Sequence, residues 1–110
     1  LYRLQARSMI RTGHSVYIAL FTLSNTFGNP PTDHMLSATM PILQDCITET
    51  LRKGDIVSKY SPAQYVVILP LTNFENGERV LRRISASFKT AYRSNDVILN
   101  ARLKAIDPKE

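Results

Sequence analysis

A chain of 110 residues suits one compact domain, and a hydrophobic fraction of 44% supplies a single core. No stretch approaches the roughly 20 apolar residues of a membrane helix, and the lone cysteine, Cys46, excludes an internal disulfide framework and fits a reducing cytoplasm. Fourteen Lys and Arg against nine Asp and Glu give a net charge of +5, which inclines the surface toward acidic partners such as nucleotides or nucleic acid without selecting one.

The chain opens at Leu1 and closes on Asp-Pro-Lys-Glu, and is read as a single domain, 1–110, excerpted from a longer regulator. LYRLQARSMIRTG predicts a short helix ending at Gly13. Arg3, Arg7 and Arg11 share one face, with Tyr2, Ala6, Met9 and Ile10 roughly opposite. The arginine face reads as solvated, or else as a docking surface on a helix entering from an upstream part. SVYIALFTLS, 15–24, is apolar at almost every position from Val16 to Leu23. That pattern predicts a strand in the middle of a sheet covered on both faces. NTFGNPP, 25–31, is a loop by its Asn, Gly and Pro content.

The segment 32–53 reads as helical, with Thr32 as cap and Asp33 favoured in the first turn by the helix dipole. Leu36, Met40, Leu43, Ile47 and Leu51 form its apolar stripe, Pro41 should kink or split it, and Arg52, Lys53 and Gly54 should end it. DIVSKY, 55–60, predicts an edge strand, and QYVVILP, 64–70, a central strand stopping at Pro70. The turn Ser61-Pro62-Ala63 joins them in a hairpin. Thr72 and Glu75 have capping-box spacing before a helix with Val80, Leu81, Ile84 and Phe88 inward and Arg79, Arg82 and Arg83 outward. VILNARLKA, 97–105, alternates as a half-exposed edge strand. Together these elements predict an α+β fold: a ferredoxin-like, nucleotide cyclase-type antiparallel sheet of order 4-1-3-2, with a βαββαβ core and an N-terminal helix.

The stretch Leu51 to Ile84, LRKGDIVSKYSPAQYVVILPLTNFENGERVLRRI, resembles the diguanylate cyclase, or GGDEF, family. In that family the hairpin typically reads R-x-x-D, a few residues, R-Y-G-G-D-E-F, then an apolar strand ending L-P. Here Lys59-Tyr60 stands for R-Y, and Ser61-Pro62-Ala63-Gln64-Tyr65 replaces G-G-D-E-F. The chain also resembles the degenerate domains at the C-terminal end of bacterial activators of the BTAD or SARP type, through YRLQAR, YIALFTLS and RKGD.

The resemblance implies an active site that joins nucleoside triphosphates with a divalent metal held by carboxylates. Pro62 fills a glycine position and removes an N–H donor, and Ala63 and Gln64 fill the two acidic positions. The family's Asp-x-Asp at the end of the first strand is matched by Thr22-Leu23-Ser24, and Leu36-Ser37 falls near the family's guanine-gripping Gly-Asp. The expectation is therefore no enzyme activity, no catalytic residue, no metal and no cofactor. Thr22, Ser24, Ser61, Pro62, Ala63 and Gln64 mark a degenerate former site. A second family site, for cyclic di-GMP, has its R-x-x-D matched by Arg52-Lys53-Gly54-Asp55 and its helix arginine by Arg83. The bland alternative is that Asp55 caps the turn and Arg83 is solvated.

Elsewhere, His14 and His34 lack zinc spacing, and Cys46 reads as core. Three functions are weighed: a non-catalytic regulatory or dimerisation domain of a bacterial transcriptional regulator or signalling protein, a cyclic di-GMP or guanine-nucleotide receptor, and a nucleic-acid-binding module. The last needs exposed sheet aromatics, for which Tyr65, Tyr17 and Phe21 are the candidates. Expected partners are other domains of a parent regulator, a second copy in a homodimer and cyclic di-GMP. DNA contact is expected through a separate domain, and no membrane contact is expected.

Overall fold

The apolar run after His14 forms β1 (Ser15–Ser24). The computed structural model describes residues 15–106, so the helix expected over 1–13 lies outside the described residues. After the Asn-Gly-Pro loop, Thr32 caps α1 (Asp33–Thr50), its Oγ1 accepting the Met35 N–H at 3.2 Å. Pro41 neither splits nor ends this helix. Pro41 and Ser37 are both exposed, so the carbonyl deprived of its partner lies on the solvent side, where water satisfies it.

The helix stops earlier than the Arg-Lys-Gly signal implies. Leu51 is already extended, and its N–H closes on the Ile47 carbonyl at 3.1 Å. Leu51 packs against the core, which turns the chain before Gly54 is reached. Gly54, at φ 99°, instead serves a tight turn in which the Asp55 N–H bonds the Arg52 carbonyl at 3.0 Å.

The hairpin is β2 (Ile56–Ser61) and β3 (Gln64–Thr72), joined by the two-residue loop Pro62-Ala63. Pro70 does not stop β3. The register passes from Tyr17↔Leu69 to Ser15↔Thr72, so Pro70 and Leu71 together face Val16. This is a β-bulge, with Leu71 at φ 55°, and a bulge is where a strand tolerates the missing proline N–H. Thr72 is consequently a buried strand end. The cap of α2 (Phe74–Ala91) is Asn73, whose Oδ1 accepts the Asn76 N–H at 2.8 Å. β4 (Ile98–Ile106) completes the chain of elements. Apart from these end shifts, every element expected within 15–106 is present.

The strands form one antiparallel sheet of order β2-β3-β1-β4, the ferredoxin-like α+β arrangement. Phe21, Leu23, Val67 and Leu69 point to the helix layer, where they meet Leu43 and Ile47 of α1 and Leu81 and Ile84 of α2. Each such burial contributes roughly 1.5–3 kcal/mol. α1 and α2 pack side by side, with α2 over β4 and β1. Among the described residues the helices cover one sheet face only. Ile18, Leu20, Val66 and Ile68 on the opposite face stay half-buried and outside the core cluster.

Candidate functional site

The end of β1, the hairpin loop and the start of β4 meet at one end of the sheet, with Thr22 opposite Gln64 and Asn100, and Ser24 opposite Ile98. The Ser61 hydroxyl donates to Gln64 Oε1 at 2.8 Å, and Gln64 Nε2 donates to Thr22 Oγ1 at 3.1 Å. Asn100 Nδ2 donates to Ser24 Oγ at 3.4 Å, and the Leu23 N–H bonds the Ala63 carbonyl at 2.9 Å. Thr22, Ser61 and Gln64, far apart in sequence, are thus linked by a chain of neutral hydrogen bonds across three strands. Ser24 belongs to a second link, toward β4. Sequence reasoning missed Asn100 as a member. Its period-2 phase in β4 was the available signal, but the cross-strand register was not.

On the helix side of the same hairpin lies a cleft of about 440 Å³ between α1 and the loop. Leu36, Ser37 and Met40 form one wall, and Lys59, Pro62 and Tyr65 the other. Asp33 is the one carboxylate lining it. Asp33, Ser37, Pro41 and Gln44 recur at helical spacing along this wall, a signal visible in sequence once the hairpin is known to face it. Tyr65 donates a long hydrogen bond to Gln44 Oε1 at 3.4 Å. Burial, and then the Asp45 charge, raise its phenol above the ordinary tyrosine value.

A divalent metal does not fit this end of the sheet. Mg²⁺ selects hard oxygens and usually at least one carboxylate. The side-chain donors assembled here are hydroxyls and amides already bonded to one another. Among the described residues no group of three His, Cys, Asp or Glu side chains converges to hold a metal.

The Arg52–Asp55 turn holds its charge differently. Asp55 Oδ2 accepts the Arg52 backbone N–H at 2.8 Å, and the Asp55 side chain is only 3% exposed. The Arg52 guanidinium stands 3.9 Å away and is 58% exposed. Arg83 is exposed on α2, and no ion pair among the described residues joins it to Asp55.

The aromatic candidates for a nucleic-acid face lie elsewhere than that reading needs. Phe21 and Tyr65 are buried in the helix-side core, and Tyr17 packs against it, its ring 6.4 Å from that of Phe74. Cys46 is buried in the core; desolvation first, then Glu49 and Asp45, push its thiol above the ordinary value. His34 is exposed, and His14 lies outside the described residues.

No protein-family model and no curated protein matches the chain. Solved structures do match. The GGDEF domain of DgcB from Caulobacter crescentus, in complex with c-di-GMP, is similar at a TM-score of 0.73 with 9% identity, covering 98% of this chain and 69% of that one. The fold is that of a GGDEF domain. The diguanylate cyclase SiaD from Pseudomonas aeruginosa, in complex with its activator SiaC, is similar at a TM-score of 0.71 with 16% identity, covering 94% of this chain and 43% of SiaD. A DGC protein from Thermotoga maritima is similar at a TM-score of 0.71 with 12% identity, and the match covers 73% of its chain. This chain therefore spans less than half the length of SiaD and about seven-tenths of the other two. No helix of the described residues is long and apolar enough to cross a membrane.

Proposed function

We propose that this chain is a degenerate GGDEF-like domain, without cyclase chemistry, that serves as a regulatory or dimerisation module of a cytoplasmic bacterial transcriptional regulator or signalling protein. The observation that carries the reading is the neutral Ser61–Gln64–Thr22 chain at the hairpin. Resemblance puts carboxylates at Ala63 and Gln64 and on the last residues of β1. A hydroxyl or amide there supplies neither the charge nor the ligand strength to clamp a metal against a triphosphate. In this reading, DNA contact and the remaining partners belong to other domains of the same parent protein. The protein incubated with GTP and either Mg²⁺ or Mn²⁺ should yield no cyclic di-GMP by liquid chromatography. Product formation above a heat-treated control overturns the reading. Light scattering across a concentration series tests the dimerisation part, which a strict monomer at high concentration removes.

A second reading, a cyclic di-GMP receptor at Arg52, Asp55 and Arg83, draws support from the mostly exposed Arg52 guanidinium. Against it, Asp55 is already used by its own turn. Calorimetry with cyclic di-GMP on the parent chain and on Arg52→Ala decides between them. Saturable heat lost in the variant favours the receptor, and equal heats in both remove this site.

A further inference from the structure

The two helices that lie side by side over the sheet carry opposite charge. Between Asp33 and Thr50, α1 contains Asp33, Asp45 and Glu49 and neither Lys nor Arg. From Arg79 to its end, α2 contains Arg79, Arg82, Arg83 and Lys89 and no carboxylate. All seven residues are exposed. Arg82 is paired with Glu78 at 3.9 Å, and none of the other six has an ion-pair partner among the described residues. A face this charged is not one that a further layer of the same chain buries in a core, because unpaired charges are costly to desolvate.

The arrangement along the helices is also ordered. α1 follows β1, α2 follows β3, and those strands are antiparallel, so the helices run in opposite directions. The acidic Asp45 and Glu49 end of α1 therefore lies beside the Arg79–Arg83 end of α2. Ala38, Pro41 and Asp45 recur at helical spacing on α1, as do Arg79, Arg83 and Ala86 on α2. Ala38, Pro41 and Ala86 are exposed, and such small side chains let two helix layers approach closely. A two-fold axis running along the helices sets α1 of one copy against α2 of the other, at the same height, twice over.

We infer that the outer face of the helix layer is a self-complementary docking surface for a second copy of this chain, with Asp45 and Glu49 of each protomer meeting Arg79 and Arg83 of its partner. Nucleic acid is a poorer occupant, since it would use the cations of α2 and be repelled by the neighbouring carboxylates of α1. The inference rests on the dimerisation part of the reading above and names the surface that performs it. It needs neither lost catalysis nor a nucleotide.

The test is sedimentation equilibrium of the intact chain at low and high ionic strength, with charge reversals on each helix. A dimer that weakens with salt is expected. Arg79→Glu with Arg83→Glu should weaken it about tenfold, and so should Asp45→Lys with Glu49→Lys, because each reversed residue occurs twice across the axis. An equimolar mixture of the two double variants should dimerise again, since every contact in the mixed pair joins opposite charges. Retained melting temperatures show that the variants are folded. A dimer that neither reversal weakens, or double variants that fail to rescue each other, would overturn this surface and leave dimerisation itself standing. A chain that is monomeric at every concentration removes both, while the GTP incubation still decides the cyclase question separately. A monomer that binds a labelled oligothymidylate, and loses it in Arg79→Glu with Arg83→Glu, would assign the basic helix to nucleic acid instead.

Discussion

The two faces of the sheet carry nearly the same kind of residue and have different fates. Along β1, Ala19, Phe21 and Leu23 face the helices and are buried to 1% exposure or less, while Ile18 and Leu20, alternating with them, face away and stay half-buried. Along β3, Val67 and Leu69 differ from Val66 and Ile68 in the same way. Hydrophobicity marks both faces as apolar. Which face anchors stability depends on where α1 and α2 land, and both land on one side. The polar end of the open face, at Thr22, Gln64 and Asn100, is held by hydrogen bonds between neutral side chains. The fold is thus supported by a packed core on one side and by cross-strand polar links at one end of the other.

Neighbouring alanine substitutions test this contrast most strongly. Phe21→Ala should cost about 3–5 kcal/mol in urea unfolding, since it leaves a cavity under two helices. Leu20→Ala, one residue away, should cost less than about 2 kcal/mol, because the removed surface is already partly in water. Equal losses would show that the second face is as well packed as the first. Gln64→Ala comes next. It removes the acceptor of the Ser61 hydroxyl and the donor to Thr22, and should cost about 1 kcal/mol. A loss above that of Leu20→Ala would make the polar end, not the open apolar strip, the main support of that face.

A smaller effect is expected from acid. The Tyr92 hydroxyl first, and then that of Ser94, hold the Asp96 carboxyl below its ordinary value. Its contribution to stability is therefore present above the unfolded carboxyl value of about 3.9 and is lost as pH falls through the lower folded value. A carboxyl-carbon NMR titration should show Asp96 moving back up in Tyr92→Phe, and an unchanged midpoint would remove Tyr92 as the cause. The smallest change is Gly77→Ala. A Cβ there would approach Leu103 Cδ2 at 2.9 Å. Because that atom ends a flexible side chain, the clash and the roughly 1 kcal/mol gain in helix propensity should nearly cancel. A melting-temperature loss comparable to that of Leu20→Ala would mean that Leu103 cannot move.

Most errors in reading the sequence fall at element ends, where local signals compete with packing. Thr72 carries a capping-box pattern, yet burial at the end of β3 takes it and the cap passes to Asn73. Gly54 looks like a helix terminator, but Leu51 leaves the helix first to reach the core. Pro70 looks like a strand stop, and the bulge at Leu71 lets the strand continue. Asp55 shows the same competition at a candidate site. Its spacing from Arg52 suits a ligand pair, and the structure uses its carboxylate to close the turn.

From sequence alone, the order of elements, the antiparallel order of the strands and the inward helix stripes were all legible. Periodicity and residue type act over a few neighbours and need no knowledge of distant contacts. Only the tertiary structure decided which face of β1 and β3 the helices cover, that Gln64 reaches Thr22, and that α2 and the edge of β4 enclose a groove. Those outcomes depend on register and layer packing between segments tens of residues apart, and a one-residue slip would reverse each of them.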